Sequence, residues 1–203
     1  MSWMDGARRV GGWLWVFGGL ACQLVGGFAF AVWPGWITGT VLVAIGLLGI
    51  ATLPRVAERL GRIPRVLGIV VAVLLAVSLL GAVADRFGLF GPAGSPGVSW
   101  GNWPAFVAYT AGLLPGLPAP AVTVAAIAAT IAEAVLGVAL IVGWQRRWVG
   151  KAAAGLFAVY LVAMLPSVGA GEVVRYGVPM LIGGALLVSA TPRFDRREAP
   201  AYA

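Results

Sequence analysis

Six stretches of this chain, at about 10 to 32, 37 to 53, 66 to 84, 120 to 143, 149 to 168 and 176 to 191, are built almost wholly from apolar residues. Most are long enough to cross a ~30 Å hydrocarbon core as helices, for which about 20 residues suffice. Inside lipid no water is present to bond backbone N–H and C=O groups, so a spanning segment satisfies them within its own helix. No credible strands compete, and the expected fold is all-α: a polytopic transmembrane helix bundle of about six spans. The second and last stretches are short and should tilt little or borrow flanking residues. With 61% hydrophobic and 10% charged residues in 203, the chain lacks the polar surface that a soluble domain of this length needs.

The few charges fix a topology. Arg55, Glu58, Arg59, Arg62 and Arg65 separate the second and third stretches, and Arg146, Arg147 and Lys151 fall between the fourth and fifth. Loops rich in Arg and Lys stay cytoplasmic. Arg8 and Arg9, and Arg193, Arg196 and Arg197 in a tail at 192–203, fall on the same side, so both termini are expected inside and only Arg86 and Arg175 outside. The net charge of +7 is thus spent on topology, and nucleic acid is not an expected partner. Trp13, Trp33, Trp36, Trp144 and Trp148 lie near span ends, where an amphipathic ring anchors at the headgroup level. The first stretch also carries a signal-like cleavage pattern at Ala29-Phe30-Ala31, although its apolar part exceeds a typical signal core. Glycines at 11, 12, 18, 19, 26, 27, 46 and 49 are read as packing faces that let helices approach closely.

Several chemistries drop out at once. Cys22 is the only cysteine and there is no histidine, so a thiolate cluster, a Cys-x-x-Cys pair or a zinc site is not expected. Nucleotide-binding loops and Ser/His/acid sets are missing as well.

One carboxyl stands out. Glu133 lies in the middle of the run from Pro120 to Gly143, about 15 to 20 Å from either end at 1.5 Å per residue. Ala126, Thr130 and Gly137 share its helix face at i−7, i−3 and i+4, so this side should pack inward. Two readings stand: a hydrogen-bonded tie to a neighbouring helix through Ser78, Thr130 or Tyr160, or a proton acceptor beside a quinone or ion path. Helix arithmetic places Arg86 and Arg175 near the outer border, half a membrane from Glu133, so its expected partner is a hydroxyl, a water or a ligand.

The longest connection, from Asp85 to Pro118, is uncharged after Arg86. Trp103 to Leu114, with Pro104 in its first turn, is expected to form a short helix on or in the outer membrane surface. Asp85 is solvated, fixes the following turn, or is a ligand-binding candidate beside Arg86. Arg86, with Trp100, Trp103 and Tyr109, is a candidate mouth for an anionic or quinone head group, since guanidinium and aromatic faces both grip planar oxygen-bearing ligands. Arg175, near Glu172, is either the last member of that site or half of a salt link to Asp85 or Glu172. Pro166 and Pro179 loosen the backbone near the outer ends of the last two spans.

Asp85-Arg86-Phe87-Gly88, Gly97-Val98-Ser99-Trp100-Gly101-Asn102-Trp103 and Phe106-Val107-Ala108-Tyr109-Thr110 together resemble the DoxX/DoxD family of small membrane proteins. Ala132-Glu133-Ala134-Val135-Leu136-Gly137, the Gly143 to Arg147 loop and Ala163-Met164 are similar to its later core helices. The resemblance covers about 66–191 as a four-helix core, with 1–65 as an N-terminal two-helix extension. It implies an oxidoreductase setting: some members are small subunits of a thiosulfate:quinone oxidoreductase, others membrane partners in complexes that handle thiol and oxidative stress. Without cysteine near a candidate site, the chain would use quinone or a partner's sulfur chemistry. The expectation is therefore a membrane or quinone-side subunit, without a covalently bound cofactor, working with a soluble or membrane oxidoreductase subunit. A non-enzymatic scaffold or assembly factor, and a small transporter, are the alternatives.

Overall fold

The computed structural model describes residues 3–31 and 34–191. Helices α1 (Trp3–Phe30), α2 (Trp36–Ala51), α3 (Pro54–Leu60), α4 (Ile63–Arg86), α5 (Trp103–Leu113), α6 (Ala119–Val142), α7 (Arg146–Ser167), α8 (Gly169–Tyr176) and α9 (Val178–Ala190) follow in order, and no strand forms among the described residues. The chain is an all-α bundle, as its apolar runs require. Among the described residues four helices are long and apolar enough to cross a membrane, or up to six spans if each of two bent pairs counts as one. Trp33 and the basic tail at 192–203 lie outside the described residues.

The stretch read as a basic loop after the second run contains a helix instead. Pro54 can start α3 but cannot continue α2, and the two helices meet at 93°. The last run is broken too: Gly177, at φ +62°, ends α8, and α9 leaves at 40°. A side chain at Gly177 would collide with Leu42, so the bend is sealed by packing.

Helix α9 is the centre of the bundle. It is buried nearly all round, from Val178 through Gly183, Gly184 and Ala185 to Ala190, which is the signature of a helix surrounded by others. Close approach is made by glycines. A Cβ on Gly183 would stand 2.7 Å from the Val16 nitrogen, one on Gly19 2.8 Å from the Met180 nitrogen, and one on Gly150 2.7 Å from the Ala185 carbonyl oxygen. Small residues thus seat α1 and α7 directly on the α9 backbone. Of the glycines expected to mark packing faces, Gly12, Gly19, Gly26 and Gly49 do so, whereas Gly18 and Gly46 face open space.

Polar side chains tie the bundle at both ends. Near Gly177, Gln23 Nε2 donates to the Val174 carbonyl at 2.7 Å. At the opposite, basic end, Trp13 Nε1 donates to Thr52 Oγ1 at 3.0 Å, so this ring is a packed tie as well as a border residue. Trp144 and Trp148 are exposed. The outer girdle is apolar, with Leu14, Phe28, Val142 and Val162 all at least 70% exposed, a surface compatible with lipid contact.

Candidate functional site

Four helices meet at one buried ionic cluster. Helices α4 and α6 run antiparallel, and Gly137 lacks the side chain that would otherwise strike Leu80, whose Cγ lies 2.7 Å from where a Cβ would be. That contact sets the register. Counting along both helices from it, Glu133 stands level with Ala84 and Arg86 with Ile131, about 18 Å down α6 from Ala119. The expected half-membrane separation of Arg86 and Glu133 is therefore wrong: α4 ends deep, and the loop that follows folds over it.

Arg86 Nη2 lies 2.6 Å from Glu133 Oε2, an ion pair whose geometry is not that of an aligned hydrogen bond. Nη1 of Arg86 donates to Thr130 Oγ1 at 2.7 Å, and that hydroxyl donates to the Ala126 carbonyl at 2.8 Å. From α7, the Tyr160 hydroxyl donates to Glu133 Oε1. From α5, the Phe106 ring lies under the guanidinium at 3.7 Å, and the Trp100 ring stands 5.2 Å away. Arg86 and Glu133 are each 2% exposed. A lone charge at such a place is costly, and the pair with its hydroxyl partners makes a neutral, bonded unit. Both sequence readings of Glu133 had an inward face, and the small residues Ala126 and Gly137 are buried beside it.

Asp85 turns the other way. Its carboxylate accepts backbone N–H groups from Ser99 at 2.9 Å, Trp100 at 3.0 Å and Gly101 at 3.3 Å, which fixes the turn after α4. Gly101, at φ +67°, lies so close to the Pro92–Ala93 backbone that no Cβ fits there. The chain then enters α5 through Asn102, whose side chain accepts from the Ala105 N–H at 2.8 Å, and Pro104 occupies the first turn. Ser167 Oγ donates to the Leu113 carbonyl at 3.1 Å and seats the far end of α5 on α7. So α5 is a cap on the bundle, with Phe106 and Thr110 buried beneath it.

Under the cap lies a cavity of about 510 Å³. Asp85, Arg86, Trp100, Tyr109 and Glu133 line it, as do Tyr160 and Tyr176. Two candidates do not. Trp103 stacks on Phe87 with ring centroids 6.1 Å apart, and Arg175 is exposed, paired with Glu172 at 3.4 Å. Burial, with Tyr176 and Glu172 nearby, pushes the Tyr109 phenol up to about 12, so it remains a neutral donor at physiological pH. Tyr176 and Phe106 were not among the site residues expected from the sequence; their aromatic character was visible, but the place of Phe106 under Arg86 and of Tyr176 on the cavity wall depends on how the helices pack.

The residues suit a planar head group bearing oxygen atoms. The Arg86 side chain lines the cavity, and its Nε is buried without a hydrogen-bond partner among the described residues. Compared with known proteins, the chain matches no family model, no curated protein and no solved structure.

Proposed function

We propose that this chain is an integral protein of the cytoplasmic membrane, with both termini inside, that acts as a DoxX-like membrane subunit of an oxidoreductase complex and binds a quinone head group under α5. The single observation that carries this reading is the convergence of Arg86, Glu133 and Tyr160 on the wall of an otherwise mainly apolar cavity capped by aromatic residues. Basic residues at the α3 end support that end as the cytoplasmic one, which puts α5 and the cavity on the outer side.

In this site the chain's own groups have separable tasks. Arg86 offers a fixed positive charge to an oxygen of the ligand. Trp100, Phe106 and Tyr109 supply flat faces and exclude water. Glu133 and Tyr160 hold a proton between their oxygens in a dry place where few other groups exchange one. Quinone, when bound, supplies the redox chemistry, and the electron donor belongs to a partner.

The test is the lipid extract of protein purified in a gentle detergent. A quinone at near-equal molar ratio, lowered at least ten-fold in Arg86→Gln of equal yield, supports the reading. Repeated extracts of the wild-type protein without quinone overturn it.

A further inference from the structure

The cavity is open on one side as well as capped on top. Ile37, Val77 and Phe90 line it and are yet 57%, 53% and 58% exposed. A residue that both lines a cavity and faces the outside stands at its rim. These three mark a gap between the first turn of α2 and the last turns of α4. Along α4 the gap is floored by Val77, Ser78, Gly81 and Ala82, one helical face of small or slender side chains. Gly81 leaves the passage clear: a Cβ there would have only the Phe90 ring within reach, at 4.0 Å. Farther down, α2 and α4 bury Ile45, Leu48, Val71 and Leu75, so the gap closes towards the basic end.

The polarity of the space is graded. The charged groups and Tyr160 gather at one inner end, whereas the rim side chains Ile37, Val77 and Phe90 are apolar, with Thr38 and Ser78 beside them and the Ser78 hydroxyl donated to the Leu74 carbonyl of its own helix. The cap does not offer a comparable way in, since Phe106 and Thr110 are buried under it and Ser167 holds its end. A wholly polar ligand gains nothing at a rim of Ile, Val and Phe, whereas an apolar chain is favoured there over water.

We propose that the α2–α4 gap is a lateral door to the bilayer, and that the ligand is an amphiphile with one apolar tail. Its oxygen-bearing head reaches Arg86 and Tyr160, while the tail lies over Gly81 and leaves past Val77 and Ile37 into the lipid. This deepens the quinone reading by naming the tailed class of ligand and its route, and for the head group it rests on that reading. Val159, 63% exposed on α7, lines the cavity on the other side and marks the competing exit.

The experiment uses the full chain in lipid nanodiscs and compares a tail-less benzoquinone with its decyl-tailed counterpart, both affinities being referred to the ligand dissolved in lipid. The wild type is expected to bind the tailed form at least ten-fold more tightly. Gly81→Trp should abolish that gain and leave tail-less binding within about two-fold, and Val159→Trp should keep the gain. Equal affinity for both forms in the wild type, or loss of the gain in Val159→Trp and not in Gly81→Trp, overturns the door. If neither compound binds the wild type, the quinone reading fails by itself, and the door is decided by a diazirine-tailed fatty alcohol. Labelling of Ser78 and Tyr160 that disappears in Gly81→Trp then supports the door, and no labelling of either residue overturns it.

Discussion

Arg86, the last residue of α4, and Glu133, in the interior of α6, form an ion pair at 2.6 Å whose side chains are only 2% and 3% exposed. Removing one partner of a buried pair strands the other, which typically costs about 3–5 kcal/mol. Arg86→Gln and Glu133→Gln are each expected to lose stability on this scale, and the double variant to lose clearly less than the sum. Reversible unfolding of all four proteins in one detergent measures the coupling. Additive losses would show that the two groups do not depend on each other.

Tyr160→Phe deletes only the hydroxyl that donates to Glu133 Oε1. The carboxylate keeps Arg86, so the expected loss is smaller, about 1.5–3 kcal/mol for a bond to a charged group. In the proton-holding role, the same variant slows quinone-linked turnover more than it weakens quinone binding. A turnover rate unchanged from the wild type would leave the hydroxyl with a structural task alone.

How much of this was legible in the sequence differs from residue to residue. Apolar run length revealed the long helices, Pro104 the start of α5, and Ala126 and Gly137 the inward face of Glu133. The partnership of Arg86 was hidden because depth in a bundle is a relation between helices. It is set by Gly137 meeting Leu80, and the connection from Phe87 onward is long enough to let α4 end low. Likewise, the bend at Gly177 was invisible among many glycines until Leu42 was seen to occupy the place of its side chain. Trp103 and Arg175 had the right residue types near the right end, but their side chains point to Phe87 and Glu172.

Asp85→Asn should loosen the loop over the site without breaking the ionic cluster. The carboxylate accepts three backbone N–H groups, and an amide offers one acceptor oxygen in place of two. Faster hydrogen exchange at Ser99, Trp100 and Gly101, with unaltered exchange in the interior of α9, is the expected result. Unchanged protection at these amides would mean that the glycine-rich backbone holds the loop by itself.

Alkaline pH gives a signed test at Tyr109. Its folded pKa, raised to about 12 from 10.0, means that between these values the folded chain keeps a proton that the unfolded chain has lost. Stability from this group is therefore intact below about pH 10 and falls as pH rises towards 12. The stability difference between wild type and Tyr109→Phe should change in that window and not between pH 7 and 9. A change confined to the lower range would assign the titration to another group.

Gly150 and Gly155 lie on the same helix and predict opposite outcomes for the same substitution. A methyl at Gly150 meets the Ala185 oxygen at 2.7 Å and the Ser189 nitrogen at 2.9 Å, both backbone atoms that cannot move without shifting α9. Overpacking of this kind costs about 1–3 kcal/mol. Gly155 has nothing within 4 Å of the added carbon, so only the gain in helix propensity applies, up to about 1 kcal/mol. Gly150→Ala should therefore lower the unfolding midpoint while Gly155→Ala leaves it level or raises it. Because α9 also lies against α1 through Gly19 and Gly183, the Gly150 strain is expected to loosen that second contact as well, seen as faster exchange near Met180. Equal effects of the two substitutions would refute the tight α7–α9 approach on which the position of Tyr160 depends.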